Sequence, residues 1–169
     1  PRRRQLLQGL GLSFDVRPQN CEEVSDAALP QDYVTQIALQ KARSALKGAG
    51  EEDVVLAADT VVCLENTILG KPGTLAQARQ MLEQLSGHTH KVCTGLVLMS
   101  HSRTLTHWEE TAVTFYPLSR EMIDWYLSTG EPMDKAGSYG IQGKGALLVQ
   151  RVEGDFYNVV GLPLAPLAR

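Results

Sequence analysis

A chain of 169 residues with 43% hydrophobic and 21% charged residues is long enough for one globular domain to bury roughly 70% of its unfolded surface without disulfide or metal staples. A net charge of −3 excludes a dominant nucleic-acid surface while leaving room for a local basic pocket that holds a small anion. No apolar run approaches the ~18 residues of a membrane span, no signal-peptide pattern opens the chain, and Cys21, Cys63 and Cys93 show no C-x-x-C spacing, so neither a disulfide framework nor a zinc site is indicated and a soluble, cytosolic protein is expected.

Pro1 to Leu10 reads as a helix: Pro suits the first turn, Leu6, Leu7 and Leu10 form an apolar stripe, and Gly9 or Gly11 can end it. Arg2, Arg3 and Arg4 at its start are either an exposed basic turn or an anion site, because a helix N-terminus has unpaired N–H groups and arginine adds a fork for phosphate oxygens. Leu12 to Val16 alternates apolar with polar and predicts a strand, and Pro18 to Leu29 a polar loop holding Glu22 and Glu23. Pro30 to Lys47 predicts a helix with Val34, Ile37, Ala38, Ala42 and Ala45 on one face, and Lys41 beside that stripe either snorkels or points into a site.

The stretch Leu56-Ala57-Ala58-Asp59-Thr60-Val61-Val62-Cys63-Leu64 predicts a buried strand, from Val54, that breaks at Asp59-Thr60 and re-forms. A carboxylate in such a run must be paired, hydrogen-bonded, metal-bound or set in a cleft at the strand end, or else it satisfies nearby backbone N–H groups. Lys71, between Gly70 and Pro72, lies one hairpin further on, so its ammonium can return near Asp59; the pair suits phosphate chemistry and equally a plain salt bridge.

Thr74 predicts the cap of a helix from Leu75 to Leu85, with Leu75, Ala78, Met81, Leu82 and Leu85 buried and Gly87 as its stop. Lys91 to Met99 and Leu105 to Tyr116 predict a hairpin through Ser100 to Arg103, and Ser119 caps a short helix, Arg120 to Leu127, ended by Gly130. The segment from Glu131 to Gly145 is dense in Gly and charge, where Lys135 and Gln142 supply donors suited to a phosphate or a base edge if it is more than a surface loop. Ala146 to Val152 and Phe156 to Val160 predict a last hairpin through Glu153-Gly154-Asp155. His88, His90, His101 and His107 read as surface histidines rather than metal ligands. No repeat or linker interrupts the chain, so one α/β domain of three layers is expected.

Taken in order, Pro1-Arg2-Arg3, Glu22-Glu23, Lys41-Ala42, Ala58-Asp59-Thr60, Gly70-Lys71-Pro72, Leu85-Ser86-Gly87, Thr94-Gly95, Glu131-Pro132-Met133-Asp134-Lys135-Ala136-Gly137, Tyr139-Gly140-Ile141-Gln142-Gly143 and Gly154-Asp155 resemble the Maf family of nucleoside triphosphate pyrophosphatases. The resemblance covers nearly the whole chain. It implies a mixed twisted sheet flanked by helices, with two lobes around a central cleft, and hydrolysis of a nucleoside triphosphate to the monophosphate and pyrophosphate with a divalent cation, Mg²⁺ or Mn²⁺. By the same resemblance Asp59 is the proton acceptor, Glu23 and Asp59 face the metal or its water, Lys41 and Lys71 balance triphosphate charge, and Arg2 and Arg3 hold phosphates. Thr60 and Gln142, with the arginine pair, match positions associated with base choice.

The Lys-Pro and Gly-Ile-Gln-Gly pattern is similar to the branch acting on dTTP and UTP rather than on 7-methyl-GTP. Modified pyrimidine nucleotides also fit, in a house-cleaning role. The resemblance further implies a homodimer acting on a small-molecule nucleotide, with no nucleic-acid or membrane partner. Against the family pattern, in which a strand ending in Ser-x-Ser precedes Pro-Arg-Arg, residues 1–169 are expected to lack the first strand and part of the last helix, and His88 stands where Arg or Lys is more usual. A nucleotide-binding regulatory module linked to cell division, without turnover, is the alternative of a different class; an inosine triphosphate pyrophosphatase is a third, which no residue pattern favours.

Overall fold

The computed structural model describes residues 2–18 and 21–169. Pro1, Gln19 and Asn20 lie outside the described residues, and with them the predicted helix start and part of the predicted loop. Among the described residues five strands form one sheet: β1 (Val55–Leu64), β2 (Thr67–Leu69), β3 (Thr89–Met99), β4 (Thr104–Phe115) and β5 (Val149–Glu153), in the order β2-β1-β3-β4-β5. Every pairing among them is antiparallel, where the sequence led us to expect a sheet of mixed direction. The α/β class with a helix-flanked sheet holds.

Strand alternation sorts the two faces. Val61 and Cys63 of β1 and Cys93, Val97 and Met99 of β3 meet α2 (Pro30–Leu46) through its buried Val34, Ala38 and Ala42. Val62, Val92, Val113 and Phe115 face the other way, toward Ala78, Leu82 and Leu85 of α3 (Leu75–Leu85) and Ile123, Tyr126 and Leu127 of α4 (Arg120–Ser128). Ala58 and Leu96 on that face pack with Leu162 and with Leu6 and Leu7 of α1 (Arg2–Gly9). The second arm expected of the last hairpin is instead a helix, α5 (Phe156–Val160), followed by α6 (Leu164–Leu167).

The helix at Phe156 arises from a local competition. Its residues favour strand, but the Asp155 carboxylate accepts the Tyr157 N–H at 2.7 Å and caps a helical turn, which Gly161 closes at φ 117°. Leu12 to Val16 is coil rather than the predicted strand; its alternation has no neighbouring strand, and Leu12 and Val16 stay half exposed. Strand β1 runs unbroken through Asp59 and Thr60, whose Cα partners on β3 are Gly95 and Thr94. Leu75, expected in the buried stripe, is 57% exposed in the first turn of α3, ahead of the contact with the sheet. His90 is buried, not a surface histidine: it stands on β3 among Phe115 and Tyr139. The three cysteines are free thiols, and no described helix is long and apolar enough to cross a membrane.

One close approach positions everything that follows. A Cβ at Gly95 would lie 2.5 Å from the backbone carbon and oxygen of Val34. Only glycine lets the α2 backbone rest directly on β3 there, and Gly95 is the cross-strand partner of Asp59.

Candidate active site

Strand β2 pairs only with Val62, Cys63 and Leu64, so the outer edge of β1 from Val55 to Val61 has no strand partner among the described residues. A cavity of about 540 Å³ opens around that edge and collects residues from both faces of the strand. Asp59 enters from the α2 side and Thr60 from the opposite side, because consecutive strand residues point opposite ways.

On the α2 side the centre is Lys41. Its Nζ lies 2.7 Å from Asp59 Oδ1 and 2.8 Å from Glu23 Oε1, so one ammonium joins two carboxylates, the three groups coming from three separate segments of the chain. Lys41 reaches Asp59 because α2 rests on β3 at Gly95. Glu23 lies in coil, and Gln40 of α2 explains how coil is held: its side chain accepts from Val24 N at 3.3 Å and donates to Val24 O at 2.5 Å, imitating one rung of a β-ladder. Ser25 adds a bond to Gln36 one helical turn back, at 2.7 Å. Burial works against the Lys41 charge, but the hydrogen bonds and charges of Asp59 and Glu23 outweigh it, and its pKa is raised.

On the other side the centre is Arg3. Its Nε donates to the Gly161 carbonyl at 2.7 Å and Nη2 to Thr60 Oγ1 at 3.1 Å. Burial lowers the Arg3 pKa; Asp59 and Glu23 oppose that shift and Arg2 adds to it. The Thr60 and Thr94 hydroxyl oxygens are 2.9 Å apart, and Thr94 donates to the Asn158 carbonyl at 3.2 Å. Buried Asn158 in turn gives its amide to Val92 O and Thr111 Oγ1, each at 3.0 Å.

The Gly-rich segment closes the remaining wall. Lys135 bonds Asp134 at 2.6 Å, and Arg2 stands 3.9 Å from the same carboxylate. Gly137, at φ 64°, packs its backbone on Val62, and its N–H reaches the Gly70 carbonyl at 3.1 Å, which ties this segment to the stretch carrying Lys71. Tyr139 lines the cavity with its hydroxyl 2.7 Å from His90 Nε2. Burial holds the Tyr139 phenol well above its ordinary range and pushes the His90 ring down to about 4, so both are neutral near pH 7.

Of the residues singled out from sequence, Arg2, Arg3, Glu23, Lys41, Asp59, Thr60 and Lys71 line this one cavity; Gln142 is exposed and is not among its lining residues. Sequence reasoning gave no role to Thr94, Asn158 or Gln40. For Thr94 a signal existed: a hydroxyl inside the apolar run of β3 demands a partner for the same reason that Asp59 does in β1.

Glu23 and Asp59 supply carboxylate oxygens, the donor type that a hard cation takes. Glu23 and Asp59 oxygens converge on a single point, the Lys41 ammonium, while no cluster of three or more His, Cys, Asp or Glu side chains occurs among the described residues. Mg²⁺ bound through one or two carboxylates completes its shell with substrate phosphates and water.

A family model described as Maf-like protein matches residues 1–169. The chain is 52% identical over 170 residues to the dTTP/UTP pyrophosphatase of Bacillus cytotoxicus, covering 100% of this chain and 88% of that protein. It is 48% identical, over the same shares, to the proteins of that name from Bacillus anthracis strain CDC 684 and Bacillus cereus strain ZK.

Proposed function

The chain belongs to the Maf-like family, and from that premise we propose that it is a nucleoside triphosphate pyrophosphatase acting on dTTP and UTP. The observation that carries this is the charge held in the cavity: five cationic side chains, Arg2, Arg3, Lys41, Lys71 and Lys135, against the carboxylates of Glu23, Asp59 and Asp134, a net of two positive charges. A nucleoside triphosphate carries roughly four negative charges near pH 7. With one divalent cation it matches that net charge with opposite sign.

Glu23 and Asp59 would hold the cation, whose contribution when bound is to neutralise charge along the phosphate chain. The chain's own residues do the rest. Lys41 fixes Asp59 through Oδ1, leaving Oδ2 to take a proton from the attacking water. That water's oxygen bonds to the α-phosphorus, the bond from the α-phosphorus to the α–β bridging oxygen breaks, and pyrophosphate leaves with charge met by Lys71 and Arg2. Positioning and charge supply most of what such a reaction needs.

Base choice through Thr60 and Gln142 with the arginine pair, a homodimer and a cytoplasmic setting belong to the same proposal and rest on the family resemblance; so does a wider range including modified pyrimidine nucleotides. The test is pyrophosphate release from dTTP, UTP, CTP, ITP and 7-methyl-GTP with Mg²⁺ or Mn²⁺, beside the Asp59→Asn variant. Turnover of dTTP or UTP that collapses in Asp59→Asn supports the reading. Nucleotide binding with no turnover in either protein rejects it in favour of a regulatory module.

A further inference from the structure

The hydrogen bonds around Thr60 form a chain whose direction can be worked out. Arg3 has donors only, so at the 3.1 Å contact Thr60 Oγ1 must accept. At the other end the Asn158 carbonyl only accepts, and Thr94 Oγ1 lies 3.2 Å from it. Between them the two threonine oxygens are 2.9 Å apart and share one hydrogen. Run in the order Arg3, Thr60, Thr94, Asn158, every donor finds an acceptor inside the protein. Reversing the middle link would send the Thr60 hydrogen into the cavity. The cation at the head polarises both hydroxyls away from itself and favours the first order.

The anchor of this chain is fixed. Asn158 is fully buried, and its amide is spent on Val92 O and Thr111 Oγ1. Thr94 is also fully buried, so water does not compete for its hydroxyl. Thr60 therefore faces the cavity as an oxygen with a spare lone pair and no hydrogen to offer, and the Arg3 guanidinium beside it presents donors. An adjacent acceptor and donor complement the N3–H and carbonyl of a uracil or thymine ring. Cytosine in the same place sets the bare N3 lone pair against the Thr60 lone pair.

We infer that Thr94 is a specificity-determining positioning residue: by taking the Thr60 hydrogen it makes Thr60 an acceptor, so that the site takes an imide base and rejects cytosine. The inference rests on the pyrophosphatase reading above and explains how that site would select among pyrimidines.

The experiment compares kcat/KM for UTP and CTP in the wild type, Thr94→Val, Thr94→Ser and Thr60→Val. Valine keeps the shape of Thr94 and removes its oxygen, freeing the Thr60 hydroxyl to donate; the UTP-to-CTP ratio should fall about tenfold or more, since a polar site discriminates mainly through partners left unpaired. Serine keeps the oxygen and should keep the ratio. An unchanged ratio in Thr94→Val, or an equal fall in Thr94→Ser, overturns the inference. Should Thr94→Val lose its melting transition or its turnover, Thr60→Val decides, because it deletes the acceptor itself: with UMP and CMP affinities read by calorimetry, an unchanged ratio again overturns it. A wild type that hydrolyses UTP and CTP equally well sinks the inference alone, whereas one that hydrolyses neither removes the pyrophosphatase reading along with it.

Discussion

Asp59 and Gly95 stand opposite each other on β1 and β3, and the missing side chain at Gly95 is what brings Lys41 to the carboxylate of Asp59. A Cβ at that position would meet the Val34 backbone at 2.5 Å, so α2 must lift. Gly95→Ala is expected to cost about 1–3 kcal/mol, the usual penalty of overpacking, and to lower activity beyond what its folded fraction explains. Urea unfolding beside pyrophosphate release normalised to folded protein checks both; a stable, fully active Gly95→Ala would refute the packing argument.

Asp59→Asn keeps the shape of the side chain and removes its capacity to take a proton. With Asp59 as the proposed general base and cation ligand, kcat should fall by about 10²- to 10⁴-fold and the half-saturating Mg²⁺ concentration should rise. A kcat reduced only severalfold would assign proton transfer elsewhere.

Gln40 holds Glu23 at the site only through the backbone of Val24. On the proposal that Glu23 helps hold a divalent cation, Gln40→Leu should leave the fold intact, because the bonds lie at an exposed surface, and raise the half-saturating Mg²⁺ concentration severalfold with a smaller change in kcat. Titrating activity against Mg²⁺ distinguishes this from a general loss, in which kcat falls and half-saturation stays constant.

His90 gives a pH dependence of known sign. Its pKa is lowered by burial from 6.5 to about 4, so between those values the unfolded chain takes up a proton that the folded protein refuses. The stability is complete above pH 6.5 and is lost as pH falls toward 4, by on the order of 3 kcal/mol. His90→Gln should flatten that part of the curve; urea midpoints measured from pH 7.5 to 4 provide the check.

Lys41 acts at the opposite end of the scale. Its pKa is raised above 10.5 by Asp59 and Glu23 in spite of burial, so its contribution is complete below 10.5 and declines as pH rises through the higher folded value. The pair is partly open to solvent, with Glu23 about half exposed, which keeps the effect small. Wild type and Lys41→Met should show converging stabilities from pH 10 upward, and curves that stay parallel there would exclude the coupling.

What was legible in the chain was what local chemistry decides. The caps at Thr74 and Ser119 each accept an N–H three residues on, at 3.2 Å, and so α3 and α4 begin where the sequence places them. Asp59 was conspicuous because a carboxylate in an apolar strand needs a partner, but nothing near it in sequence names Lys41, 18 residues away. The misreadings share that cause. Leu12 to Val16 has strand alternation and lacks a neighbour to pair with, Phe156 to Val160 has strand composition and is overruled by the Asp155 cap, and His90 looks like any polar residue until Phe115 and Tyr139 surround it. The role given to Thr94 depends on Asn158, 64 residues further along, so it could be seen only after folding.

The open edge of β1 has a consequence for how this protein can change. Asp59 and Thr60 are neighbours in the chain, yet they serve opposite sides of a wall one strand thick, the carboxylate meeting an ammonium and the hydroxyl a guanidinium. A single inserted or deleted residue earlier in the strand would exchange the two, turning each toward the wrong partner at once. Side chains here can be replaced one by one, whereas the spacing between them tolerates no drift: the two halves of the site are locked to a common reading frame by the pleat of the backbone.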